Sequence, residues 1–136
     1  MDFFVTMHAY LRFVILALGI LGVLRSLVSL GTRAARFMRV DEVLSRGYSG
    51  ALDLQVLVGV VLVLGLLGLF GQPRVVPSST WIHPLVMLPA VVIAHLGRRF
   101  RDRPDHDRHR AQLGLYLISL LFIAAGLAVI GQLRLI

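Results

Sequence analysis

Five ionisable side chains lie within long apolar segments of this sequence and could carry its chemistry. They are His8, Arg12, Asp53, His83 and His95. Imidazole nitrogens bind haem iron, and a guanidinium pairs with carboxylates such as haem propionates. A histidine beside a carboxylate can hold or pass a proton. Ionisable groups inside a bilayer are costly and usually mark ligand sites or proton paths, so these five are the candidate site residues.

The composition indicates a membrane protein. Of the 136 residues, 57% are hydrophobic, and the mean hydropathy is +0.84, which is too apolar for an ordinary soluble domain. There are no cysteines, so disulfides, iron–sulfur clusters and thiolate metal sites are excluded. The positive residues are all arginines, and they cluster between apolar segments, which favours a membrane rather than nucleic acid as the partner.

Four apolar segments are long enough to cross a bilayer, since a helical span needs about 20 residues. We therefore predict an all-α integral membrane four-helix bundle, with residues 1–136 forming a single transmembrane domain. In the third span, Pro84 suits a helix start and Pro89 should bend the helix. The predicted helices cover residues 3–30, 51–71, 81–97 and 113–133.

The arginines predict the orientation of the spans. Ten arginines lie in the two segments that follow the first and third spans. The segment after the second span and the C-terminal tail hold one arginine each. The positive-inside rule then places the two Arg-rich segments in the cytoplasm and both termini on the outer, periplasmic side. The predicted location is the bacterial inner membrane, crossed four times. The second Arg-rich segment, with His106 and His109, is predicted to be a solvated loop that binds lipid headgroups.

This topology places the candidate residues at two depths. His8 and His83 both lie near the outer side, on different helices, so they could meet across the bundle. His95 and Asp53 both lie near the cytoplasmic side and are expected to form a hydrogen-bonded pair. Because twelve residues of helix rise about 18 Å, His83 and His95 cannot serve one site.

The outer level has the residues that a b-type haem requires. Two histidines from different helices of a bundle can bind haem iron from opposite sides. We predict His8 and His83 as the axial ligands, with Arg12 beside a propionate. A second haem at the inner level lacks a partner histidine. His95 and Asp53 would instead orient a ligand or handle protons.

Small residues predict where helices approach closely. In the first span, a stripe at helical spacing continues from His8 and Arg12 and should face other helices. Its members are Ile15, Gly19, Gly22 and Ser26. The sequence "GLLGLFG", with Gly65, Gly68 and Gly71, predicts another close helix contact.

Three motifs, in this order, resemble one family. An H-x-x-x-R pattern begins the first span, "DLQVLVG" opens the second and "HPLVMLPAVVIAH" crosses the third. Together they resemble the small four-helix bacterial membrane proteins labelled "cytochrome b", over essentially the whole chain. The resemblance implies a b-type haem and electron transfer in the membrane. The residues that match its motif positions are His8, Arg12, His83, Met87 and His95. Asp53 stands where some relatives carry histidine, which argues against an inner haem.

The leading functional prediction is electron transfer by a small subunit of a larger respiratory or photosynthetic complex. Its cofactor would be one haem b near the outer face. The presence of a second haem is left open, and quinone is another candidate ligand. The alternatives are a non-redox structural or assembly subunit and a quinone-binding or proton-handling module. An electron carrier or accessory subunit is favoured over a stand-alone enzyme, because no large extramembrane domain is predicted. The predicted partners are the lipid bilayer and a redox complex.

Overall fold

The computed structural model describes residues 1–32, 36–71, 73 and 75–131. These residues contain four α-helices, one 3₁₀ segment and no strand. The helices are α1 (Asp2–Leu30), α2 (Arg39–Leu66), α3 (Ser78–His95) and α4 (Asp105–Val129), and the 3₁₀ segment (Leu96–Phe100) continues α3. The predicted all-helical fold is confirmed for this part of the chain. All four helical segments, α3 together with its 3₁₀ extension, are long and apolar enough to cross a membrane.

Two helices begin well before the predicted spans. Helix α2 begins at Arg39 rather than at residue 51, and α4 begins at Asp105 rather than at residue 113. Hydropathy locates the apolar middle of a helix and gives no signal for its polar first turns. The acidic Asp105 in the first turn of α4 favours a helix start there. The predicted solvated loop is therefore wrong for residues 105–110, and His109 is buried within α4.

The glycines at the end of α2 do not act as predicted. Gly68 and Gly71 follow the helix and have positive φ angles of 91° and 154°, a conformation that glycine adopts at no steric cost. These two glycines end α2 and do not form a contact between helices. Gly65 remains in α2, where a side chain would overlap Met1. The predicted close contact is thus found at Gly65 and is wrong for the other two.

The helices pack unevenly. Helix α1 packs against α2 and α4, and α4 packs against α3, whereas α2 and α3 make far fewer contacts with each other. The predicted stripe of α1 faces this core, since Ile15, Gly19, Gly22 and Ser26 are all buried. Small residues there allow α4 to approach closely. The α2–α3 side of the bundle is left comparatively open.

Buried polar contacts join the helices at two levels. At mid-bundle, Ser119 of α4 donates to the backbone carbonyl of Ala90 on α3, at 3.0 Å. The Ser119 hydroxyl oxygen can then accept from the Tyr48 hydroxyl of α2, at 2.7 Å. Near the Arg-rich end, Arg25 of α1 donates its Nε to Asp41 of α2 at 2.7 Å. These contacts hold the helix register that positions the candidate site residues.

Candidate functional site

His8 of α1 and His83 of α3 face each other across the bundle. Their ring centroids are 6.4 Å apart, and the ring planes are inclined by 72°. When two imidazole nitrogens bind one metal from opposite sides, each at about 2 Å, they lie roughly 4 Å apart. The centres of the two rings are then about 6 Å apart. The predicted meeting of the two histidines is confirmed, and the distance between their ring centres is close to that value.

A backbone carbonyl fixes the tautomer of His83. Its Nδ1 lies 2.8 Å from the carbonyl oxygen of Gly126 on α4. A carbonyl only accepts, so Nδ1 carries the proton and donates it. In the neutral ring, Nε2 is then unprotonated and can bind a metal, as in many metal sites where the other ring nitrogen is anchored. A side chain at position 126 would overlap Met87, so glycine permits this close approach of α3 and α4.

His8 and Gln55 contribute buried polar atoms beside the pair. The Gln55 side-chain amide donates to the backbone carbonyl of His8 at 3.1 Å. In the part of the chain that the structure describes, His8 Nδ1 and Gln55 Oε1 are buried and have no hydrogen-bond partner. Such atoms are rare in folded proteins because an unpaired buried polar group is costly. Two of them at one place leave polar atoms that a ligand could contact.

An apolar cavity of about 560 Å³ adjoins the two histidines. It lies between α2 and α3, where the bundle is sparsely packed, and His8 and its neighbours on α1 also line it. Its volume is within the roughly 300–1,000 Å³ that is typical of ligand pockets. Gly59 adds room beside His8, because a Cβ at that position would lie 3.5 Å from His8 Cε1.

Arg12 shares a second, smaller cavity with both histidines. This cavity measures about 120 Å³ and lies deeper in the bundle, with Gln55 and Met87 also on its wall. The guanidinium carbon of Arg12 lies 4.7 Å from the centroid of the Phe13 ring. The structure thus brings three of the five predicted site residues to the wall of one cavity.

His95 and Asp53 form a separate site. His95 Nε2 lies 2.8 Å from Asp53 Oδ1, with side chains 33% and 53% exposed. The predicted hydrogen-bonded pair is confirmed. His95 is the last residue of α3 and His83 lies in its first two turns, so the inner pair does not join the outer residues.

Sequence reasoning missed three contributors to the outer site. Gln55 could have been found as a polar amide within an apolar helix, a position where polar side chains usually bond across helices. Gly59 is the last residue of the motif "DLQVLVG", but the motif assigns it no role, because it contributes only space. Gly126 has no sequence signal, because it contributes a backbone carbonyl. Neither contribution depends on a recognisable side chain.

The described residues contain no cluster of three or more His, Cys, Asp or Glu side chains that could hold a metal ion. A haem needs fewer protein ligands than a free ion, since its macrocycle supplies four nitrogens and the protein supplies the axial positions. Two histidines therefore suffice. In the comparisons with known proteins, no family model, no curated protein and no solved structure matches this chain.

Proposed function

We propose that this chain is an integral membrane b-type haem protein that transfers electrons. The observation that carries the proposal is the His8–His83 pair, 6.4 Å between ring centroids, beside an apolar cavity of about 560 Å³. Haem b, when bound, supplies an iron that accepts and returns one electron. His83 through Nε2, and His8 from the opposite helix, would hold that iron. The resemblance to the small "cytochrome b" proteins implies the same residues.

The surrounding residues have supporting roles. The Gly126 carbonyl holds the His83 ring through Nδ1, so that the unprotonated Nε2 would bind the ligand. Arg12 would pair with a propionate and so offset the cost of placing an anion within the bundle. The lining is largely apolar, which suits a hydrophobic macrocycle. One haem is proposed, because the second histidine that an inner haem would need is replaced by Asp53.

The proposed orientation places the Arg-rich end in the cytoplasm. Residues of the α2 start, the 3₁₀ segment and the α4 start meet at that end of the bundle, and the positive-inside rule assigns such an end to the cytoplasm. The haem and Met1 would then lie toward the periplasmic side of a bacterial inner membrane. The described loops are short, so the electrons would pass to a larger respiratory or photosynthetic complex or to a quinone.

The test is a dithionite-reduced minus oxidised spectrum of protein purified from cells supplied with a haem precursor. We expect a Soret band and an α-band, with one haem per chain in a pyridine haemochrome assay. Far-ultraviolet circular dichroism on the same sample establishes that the helices have formed. A folded sample with a flat difference spectrum would overturn the haem proposal and favour a structural or assembly subunit.

A second proposed function, proton handling beside a quinone, rests on the 2.8 Å contact of His95 with Asp53. Asp53→Asn keeps the size of the side chain but removes the proton-accepting carboxylate. We expect the haem midpoint potential of the unaltered protein to depend on pH and that of Asp53→Asn to be flatter over the same range. Potentiometric titrations at several pH values measure this. Asp102→Asn, an exposed position, is the control, and an unchanged slope in Asp53→Asn would contradict proton handling.

A further inference from the structure

A small cavity at the Arg-rich end of the bundle is separate from the histidine site. It measures about 50 Å³ and lies between α2, the 3₁₀ segment and α4. Its wall includes four arginines, which are Arg46, Arg98, Arg101 and Arg108. Guanidinium groups bind phosphate through paired N–H donors, and a cluster of them is the usual way in which a protein recognises that group.

The arginines of this cavity are only partly neutralised. Glu42 is the acidic residue on the wall, and its two carboxylate oxygens lie 3.5 Å from Arg46 and 3.4 Å from Arg108. Arg98 and Arg101 have no ion pair with a carboxylate among the residues that the structure describes. The wall carries four positive charges and one negative charge, and Asp105, which lies 4.0 Å from Arg108, brings the local net charge to +2. This excess is suited to an anion.

Parts of the wall are held in place by neighbouring side chains. The Arg108 guanidinium lies over the Phe37 ring, 3.7 Å from its centroid, and is only 16% exposed. Gln112 donates to the Ser45 hydroxyl at 3.2 Å, joining α4 to α2 beside the cavity. A volume of about 50 Å³ holds a few waters, since one water needs roughly 10–15 Å³. This is room for a phosphate group but not for a bulky ligand.

We propose that this cavity binds the phosphate group of an anionic phospholipid headgroup. The arginines lie at the ends of membrane-spanning segments, which is the depth at which headgroups are found, and basic pockets between such helices bind anionic lipids. Arg98 and Arg101 are exposed and can reach a lipid that approaches from the membrane surface. Free phosphate offers the same chemistry and is the second source that the experiment must distinguish.

The test is native mass spectrometry of the delipidated full chain in detergent, titrated with phosphatidylglycerol or with phosphatidylcholine. We expect a clear preference for phosphatidylglycerol in the unaltered protein. Arg98→Gln combined with Arg101→Gln should weaken that binding about thirtyfold, since each basic residue near an anionic headgroup contributes about a factor of five. Arg99→Gln combined with Arg103→Gln is the matched control, because it removes equal charge from the same segment at positions off the cavity wall.

Equal loss in the two double variants would overturn the site and leave only general attraction by charge. Equal binding of the two lipids by the unaltered protein would overturn it as well. Inorganic phosphate that displaces phosphatidylglycerol supports the phosphate site and assigns the free anion as its source, whereas retention of the lipid assigns the headgroup. If the first double variant does not fold, Arg101→Gln alone should weaken binding about fivefold, and unchanged binding would then overturn the proposal.

Discussion

Replacement of His83 by alanine is expected to abolish the haem absorbance of the purified protein. The substitution removes Nε2, the nitrogen that the Gly126 contact leaves free for a ligand, and His8 alone would hold the iron from one side. Loss of the groups that orient a metal ligand lowers metal affinity about 10–100-fold. Loss of the ligand itself is expected to lower the affinity further. The affinity for haem should therefore fall by more than about tenfold. Optical spectra and haem content per chain measure this.

His95→Ala is the matched control for His83→Ala. It removes the same side chain from the same helix, at the level of Asp53 rather than of His8. We expect it to keep the Soret band. Added imidazole should restore absorbance to His83→Ala, because the free ligand can enter the space that the missing ring leaves. A full spectrum in His83→Ala, or equal loss in the two variants, would show that His83 does not bind the haem.

Gly22→Ala is expected to destabilise the folded protein without removing the haem site. A Cβ at Gly22 would overlap the Tyr116 ring of α4. That ring is 4% exposed and packs against Tyr48 with 5.2 Å between centroids, so it cannot move aside freely. Overpacking of this kind costs about 1–3 kcal/mol. The free energy of unfolding, measured by denaturant titration in detergent, should fall by that amount.

Gly50→Ala provides the comparison for Gly22→Ala. Gly50 lies in the middle of α2, is exposed, and has no atom within 4 Å of an added Cβ. Alanine there should be neutral or should stabilise the helix by up to about 1 kcal/mol, since glycine is the poorer helix former. Any Gly22→Ala protein that remains folded should keep the same Soret position, because Tyr116 is remote from the histidine pair. Similar stability of the two variants would contradict the close contact.

The sequence by itself determined the helical fold and the depth at which each candidate residue lies. Long apolar segments must form helices to satisfy their backbone hydrogen bonds in a bilayer. Short connections make successive helices antiparallel, so depth follows from position along each span. Matching depth predicted that His8 could meet His83 and that His95 could meet Asp53, and both contacts are present in the structure. The buried stripe of small residues on α1 follows from helical spacing in the same way.

Only the tertiary structure decided what surrounds those residues. The Gly126 carbonyl that orients His83 has no sequence signature, because every residue carries the same carbonyl. The cavity beside the histidines exists because α2 and α3 pack sparsely, which depends on all four helices together. The polar first turns of α2 and α4, with His109 buried in the latter, lie outside any hydrophobic pattern. Sequence periodicity describes one helix at a time, whereas a site is made by the contacts between helices.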